Sequence, residues 1–169
     1  MIYAHGKRVA FLDLGDLVEL WHRWNMKIIS TQLGPLDCKI VGTTPAKKLF
    51  VLCHGYGAPG DDLVPLAQEL IHFCPHLGPD WCFIFPQAPL ELATNLYESR
   101  AWWHIDIAQF EEAVRTGRVR DLRNDEPDGL ASARRQLKAC IDAALSMLDL
   151  SAEDMVLGGF SQGAMLATD

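Results

Sequence analysis

The 169-residue chain is 49% hydrophobic and 22% charged, as expected of one globular domain long enough to bury a core. A formal net charge of −7 argues against a nucleic-acid or anionic-membrane partner, and no apolar run approaches the roughly 18 residues of a transmembrane helix. Five scattered cysteines with no Cys-x-x-Cys pair read as buried thiols in a reducing compartment, not as a disulfide framework.

Residues 1–25 differ from the rest of the chain. Leu14, Leu17, Val18 and Trp21 have helical spacing. They form either a short amphipathic helix that packs weakly on the domain or upstream sequence ahead of a true start at Met26. The apolar patch at residues 9–12 is broken at once by Asp13 and Asp16, which does not fit a signal peptide. A cytoplasmic protein is expected, with its domain at residues 26–169.

From Met26 the pattern is strand-like. Residues 28–32 and 36–41 flank Gly34-Pro35 and predict an antiparallel hairpin at a sheet edge. Residues 49–53 are continuously apolar, the mark of a strand buried on both faces. A helix comes next, capped by Asp61 or Asp62, with Pro65 in its first turn and Leu63, Leu66, Ala67, Leu70 and Phe73 on its buried face. Residues 81–85 predict a second buried strand. Residues 90–128 look least regular and read as a long loop. Pro127-Asp128-Gly129 introduces a helix whose buried face carries Leu130, Ala133, Leu137, Cys140, Ile141, Ala144 and Leu148. Ser151 and Asp154 have the spacing of a capping turn before the last strand. Alternating strands and helices imply an α/β fold with a mainly parallel sheet and flanking helices.

The last strand, Met155-Val156-Leu157, runs into Gly159-Phe160-Ser161-Gln162-Gly163 and then into the helix formers Ala164-Met165-Leu166-Ala167. Gly-x-Ser-x-Gly between a strand and a helix is the nucleophile-elbow pattern. It holds the serine at the tip of a sharp turn, with glycines where a Cβ would collide. Ser161 is therefore the candidate nucleophile. Acyl transfer also needs donors for the tetrahedral oxyanion. The candidates are the backbone N–H of Gln162 and that of Tyr56, the latter in the His54-Gly55-Tyr56-Gly57 loop after an earlier strand. Both lie just past strand C-termini, where parallel sheets bind ligands.

His54, Gly55 and Gly57 are assigned to shaping this loop, and His54 is not taken as the base. His104 reads as a solvated loop residue. Two adjacent indoles in an irregular segment are awkward to bury together, so one of Trp102 and Trp103 is expected to line an acyl pocket. No carboxylate–histidine cluster indicates a metal, and no cofactor is expected.

Three stretches together resemble the phospholipase/carboxylesterase family of α/β-hydrolases, which includes the acyl-protein thioesterases. They are Leu52-Cys53-His54-Gly55-Tyr56-Gly57, Arg100-Ala101-Trp102-Trp103-His104-Ile105-Asp106 and Leu157-Gly158-Gly159-Phe160-Ser161-Gln162-Gly163-Ala164. The resemblance covers residues 28–169. It implies metal-free hydrolysis of small-molecule carboxylic esters or thioesters through an acyl-serine at Ser161. It also implies a fold incomplete at its C-terminal side, because the family's catalytic Asp and His lie on later strands and loops. Here only Asp169 and no histidine come after Ser161. Three functions of different kinds fit: a truncated serine hydrolase, a non-catalytic relic or ligand-binding protein that keeps the pocket, and an enzyme whose base comes from another chain.

Overall fold

The computed structural model of the protein describes residues 3–4, 7–8, 27–93, 98–117 and 126–169. The expectations for residues 9–25, including the short amphipathic helix, lie outside the described residues, as do His5 and His22. Strands β1 (Tyr3–Ala4) and β2 (Lys7–Arg8) form a small antiparallel ribbon.

The main sheet has five strands: β3 (Ile29–Leu33), β4 (Leu36–Gly42), β5 (Lys48–Cys53), β6 (Trp81–Pro86) and β9 (Met155–Gly159). Their spatial order is β3-β4-β6-β5-β9. β4 is antiparallel to both its neighbours, whereas β5 pairs in parallel with β6 and β9. Four strands thus run one way and β4 alone opposes them. The expected edge hairpin is present, with Gly34 at φ +56° in its turn. A second ribbon, β7 (Leu90–Glu91) with β8 (Arg100–Ala101), emerges from the segment whose sequence reads as loop.

The period-2 alternation of side chains along each strand divides the interior into two layers. Leu49, Val51 and Cys53 of β5 face one cluster together with Cys82 and Ile84 of β6. Leu52 of β5 and Phe83 and Phe85 of β6 face the other. Helix α3 (Leu130–Leu148) covers the first face and helix α1 (Val64–Phe73) the second. A strand sandwiched in this way must be apolar at every position, which is why residues 49–53 show no polar alternation.

Helix α3 buries Leu130, Ala133, Leu137, Cys140, Ala144 and Leu148, with Ile141 partly covered, as its spacing requires. Helix α1 has a different phase from the one expected. It buries Val64, Ala67 and Ile71, while Leu66 is 41% and Phe73 76% exposed. Apolar residues lie nearly all round this helix, so periodicity does not choose a face; close contact with the sheet at Ala67 does. Neither Asp61 nor Asp62 caps it through a side chain. Leu63 occupies the N-cap in helical conformation, Val64 N–H donates to Asp61 C=O, and Pro65 has no N–H to satisfy. A helix α2 (Ile107–Thr116) also stands within the stretch expected to be a loop.

The bottom of the sheet is tied by a polar contact. Lys48 Nζ at the start of β5 donates to Asp154 Oδ1 at 2.8 Å, and Ser151 Oγ donates to Asp154 Oδ2 at 2.9 Å. The Lys48 ammonium, helped by Ser151, holds the Asp154 carboxyl at about 2, below its ordinary 3.8. A depressed carboxyl adds stability above its unfolded pKa, and that stability is lost as pH falls through the folded value. Asp154→Asn is therefore expected to flatten the loss of stability between about pH 4 and about pH 2. Urea midpoints across that range check this, and parallel curves for the two proteins would count against it.

Ile84 is fully buried in the larger cluster, so Ile84→Ala is expected to cost about 2–5 kcal/mol. Phe73→Ala, on the solvent side of α1, is expected to stay within about 0.5 kcal/mol. Equilibrium urea unfolding distinguishes the two, and similar losses for both would contradict the phase of α1.

Candidate active site

The strand order of the sheet places β6 on one side of β5 and β9 on the other. The connection leaving β5 goes to α1 on one face. The connection leaving β9 goes to helix α4 (Gln162–Thr168), whose Leu166 packs in the opposite cluster. Adjacent parallel strands whose following helices go to opposite faces leave a crevice at their carboxyl ends. The two loops bordering that crevice are His54–Gly57 and Phe160–Gln162.

Ser161 lies at the second of these loops, exposed, at φ 50° and ψ −117°, as the N-cap of α4. Such a backbone is costly for a residue with a Cβ and persists only where its surroundings enforce it. The enforcing contacts are those of Gly159 and Gly163. A Cβ on Gly159 would stand 2.3 Å from the carbonyl carbon of Gly163, and one on Gly163 would stand 2.2 Å from the carbonyl oxygen of Cys53. Gly158 is not constrained in this way, since its nearest neighbour would be Leu52 Cδ1 at 3.5 Å. Phe160 N–H donates to Cys53 C=O at 2.9 Å and carries the β5–β9 ladder to the edge of the turn.

The first loop passes directly over the elbow. A Cβ on Gly55 would lie 3.1 Å from Phe160 Cδ1 and 3.4 Å from Ser161 Cβ. Tyr56, half-buried, comes next, and then Gly57 at φ +81°. Gln162 opens α4, in the turn whose N–H groups have no intrahelical acceptor.

His54 is buried with both ring nitrogens engaged. Nε2 accepts from Ala88 N–H at 2.9 Å, which leaves the proton on Nδ1 to bond Gly55 C=O at 2.8 Å. Burial lowers its pKa from 6.5, so the ring is neutral. It has no nitrogen left for Ser161.

Trp102 and Trp103 are 1% and 2% exposed. One of them is expected to line an acyl pocket; both belong to the larger core cluster. Burial is made compatible by hydrogen bonds at Trp102 Nε1, Trp102 N–H and Trp103 C=O. Trp102 Nε1 donates to His54 C=O at 2.9 Å, Trp102 N–H donates to Gln162 Oε1 at 2.9 Å, and Gln162 Nε2 donates to Trp103 C=O at 2.8 Å. The Gln162 carboxamide thus pairs like a short piece of strand with the backbone of residues 102–103. The same segment reaches the first loop, where Gly57 N–H donates to Arg100 C=O and Ser99 Oγ donates to Gly57 C=O.

Residues 99–103 therefore strap the His54–Gly57 loop to α4. The polar side of this strap, above all the Gln162 side chain, goes beyond what the sequence pattern predicts. The clue available is a glutamine directly after Ser161, at a position that becomes the first buried turn of a helix.

The other described histidines lie elsewhere. His72, exposed in the last turn of α1, and His76, exposed just after it, lie toward the opposite end of the sheet, and His104 is exposed after the strap. Among the described residues no three His, Cys, Asp or Glu side chains gather as a candidate metal centre, and no helix is long and apolar enough to cross a membrane.

Residues 39–169 match the model of the phospholipase/carboxylesterase family. The chain belongs to that family. It is 27% identical over 144 residues to acyl-protein thioesterase 1 of Debaryomyces hansenii, a match covering 81% of this chain and 56% of that protein. The crystal structure of esterase PE8 aligns with TM-score 0.59 and 28% identity, over 79% of this chain and 55% of that one. The structure of YahD with malic acid aligns with TM-score 0.51 over 78% and 54% of the two chains; at 18% identity it bears on the fold alone. The sheet is thus that of an α/β-hydrolase, incomplete relative to these proteins. The chain spans little more than half the length of the relatives it matches.

Gln162→Ala would leave Trp102 N–H and Trp103 C=O buried without partners, each costing about 1–3 kcal/mol. A loss of roughly 2–4 kcal/mol in urea unfolding followed by indole emission is expected. Gly163→Ala is expected to cost more than about 3 kcal/mol and Gly158→Ala less than about 1 kcal/mol. Equal costs for the two glycines would refute the steric account of the elbow.

Proposed function

We propose that this chain carries the nucleophile and oxyanion hole of a serine ester hydrolase acting on small carboxylic esters or thioesters. The observation that carries the reading is the exposed Ser161, held at positive φ at the start of a helix with Gly55 against its Cβ. In this reading Ser161 Oγ attacks the carbonyl carbon and the carbonyl oxygen becomes an oxyanion. That oxygen accepts from the N–H groups of Tyr56 and Gln162, each worth about 3 kcal/mol when it meets the transition state at hydrogen-bond distance. The alcohol or thiol leaves with a proton, and water then releases the acid from the acyl-serine. Ester and thioester carbonyls share the same tetrahedral chemistry. The likeness to the Debaryomyces acyl-protein thioesterase makes a thioester as fitting a substrate as an ester.

The proton acceptor comes from outside the described site. His54 is committed to Ala88 and Gly55, His72 and His76 face away, and His104 is exposed beyond the strap. Without a base the oxyanion hole and substrate binding retain only about 10³–10⁴-fold catalysis in a serine hydrolase. The chain is therefore expected to hydrolyse p-nitrophenyl butyrate weakly, and added imidazole should raise the rate more than it does for Ser161→Ala. Tyr56→Pro, which deletes the N–H, is expected to reduce the Ser161-dependent rate by about 10²-fold. Identical rates for the chain and Ser161→Ala at every imidazole concentration would favour a non-catalytic relic. Fast turnover without imidazole that His104→Ala removes would place the base within this chain.

A further inference from the structure

We propose that Cys38 and Cys140 form a dithiol that hydrogen peroxide oxidises to a disulfide joining the β3–β4 hairpin to helix α3. The two cysteines are 102 residues apart in sequence, yet their Sγ atoms lie 3.5 Å from each other, both buried. Among the described residues this is the one thiol–thiol hydrogen bond.

The approach is built into the backbone. Gly34, in the hairpin turn, packs directly on α3, where a Cβ would stand 2.9 Å from Ala139 C=O and 3.2 Å from Cys140 N. The missing side chain brings the hairpin against the helix at the turn that carries Cys140. From 3.5 Å to a disulfide length of about 2.05 Å the sulfurs must close by roughly 1.5 Å, a small rotation and shift for two short side chains.

The remaining cysteines do not share this arrangement. Burial pushes Cys53 up to about 12 and Cys82 up to about 11, so both are neutral thiols at physiological pH. The shared S–H···S bond instead favours a thiolate on Cys140 and disfavours one on Cys38. Either sulfur can donate to the other, and the overall reaction is the same whichever attacks first; with Cys140 as the attacking thiolate, Cys38 is the resolving thiol. The Cys140 thiolate attacks one oxygen of H₂O₂, forming a sulfenic acid and releasing hydroxide. The Cys38 thiol then attacks the sulfenic sulfur and water leaves, its second proton coming from Cys38. The balance is two thiols and one peroxide to one disulfide and two waters. Peroxide is close to water in size, so the step requires only a small opening between the hairpin and α3.

The test is to oxidise the folded 169-residue chain with a small molar excess of H₂O₂, quench, unfold it and alkylate the free thiols. Intact mass and peptide mapping are expected to show three of the five cysteines alkylated, the mass about 2 Da lower before alkylation, and a Cys38–Cys140 peptide reversed by dithiothreitol. The closed loop is long, so the melting temperature should rise by roughly 5–10 °C on oxidation. Cys38→Ser should lose the link and collect a single oxygen on Cys140; circular dichroism establishes that this variant is folded, and the wild-type map stands without it. Five alkylated cysteines, oxidation confined to the half-buried Cys74, or links scrambled among all five would overturn the proposal.

Discussion

At Gly163 helix α4 passes so close to the end of β5 that a single added carbon would overlap the carbonyl oxygens of Cys53 and His54. Much of the site depends on that contact. It fixes the start of the helix against the strand, which forces the chain between β9 and α4 to turn within two residues. Gly159 meets the same turn from the other side. Ser161, between them, takes a positive φ because its neighbours have no other path. Its exposure comes from the geometry and not from any local preference of serine.

A turn under strain needs support, and the support is polar. His54 bridges Ala88 and Gly55, Trp102 bridges back to His54, and Gln162 binds the backbone of residues 102 and 103. Each group is buried, and within a low-dielectric interior each bond is strong only because its partner is also satisfied. The result is that three segments distant in sequence hold one another at the carboxyl ends of β5 and β9. An oxyanion site demands fixed donors more than strong ones, since donors that must reorganise during reaction lose their advantage. In the proposed reading the strap of residues 99–103 would supply that fixity from behind Ser161.

The sheet explains why such a site tolerates its surroundings. β5 is covered on both faces and flanked by β6 and β9, so its carboxyl end is held from four sides. β9 hydrogen-bonds only to β5 among the described residues, and Val156, Phe160 and Met165 are 43%, 66% and 54% exposed beside it. The matched relatives are longer, the match covering 56% and 55% of their lengths. The part of the fold described here is the part that shapes the turn at Ser161.

Local patterns alone determined a good part of this. The hairpin about Gly34, the continuous apolar run of β5, the six buried positions of α3 and the strand–serine–helix elbow are each written within a few consecutive turns of chain. Their causes are near-neighbour sterics and side-chain periodicity, which act over short sequence distances. Tertiary structure decided the rest. Periodicity leaves the face of α1 open because Leu63, Val64, Leu66, Ala67, Leu70 and Ile71 are all apolar, and only the sheet selects among them. Helix α2 has Ile107, Phe110 and Val114 at helical spacing, but its polar composition masks the signal. The burial of Trp102 rests on acceptors supplied by His54 and Gln162, 48 and 60 residues away, and Gln162 also donates to Trp103 C=O. The Cys38–Cys140 contact likewise exists only because Gly34 admits a helix more than 100 residues later in the chain. Contacts of that range depend on how whole elements pack, and no window of sequence contains both partners.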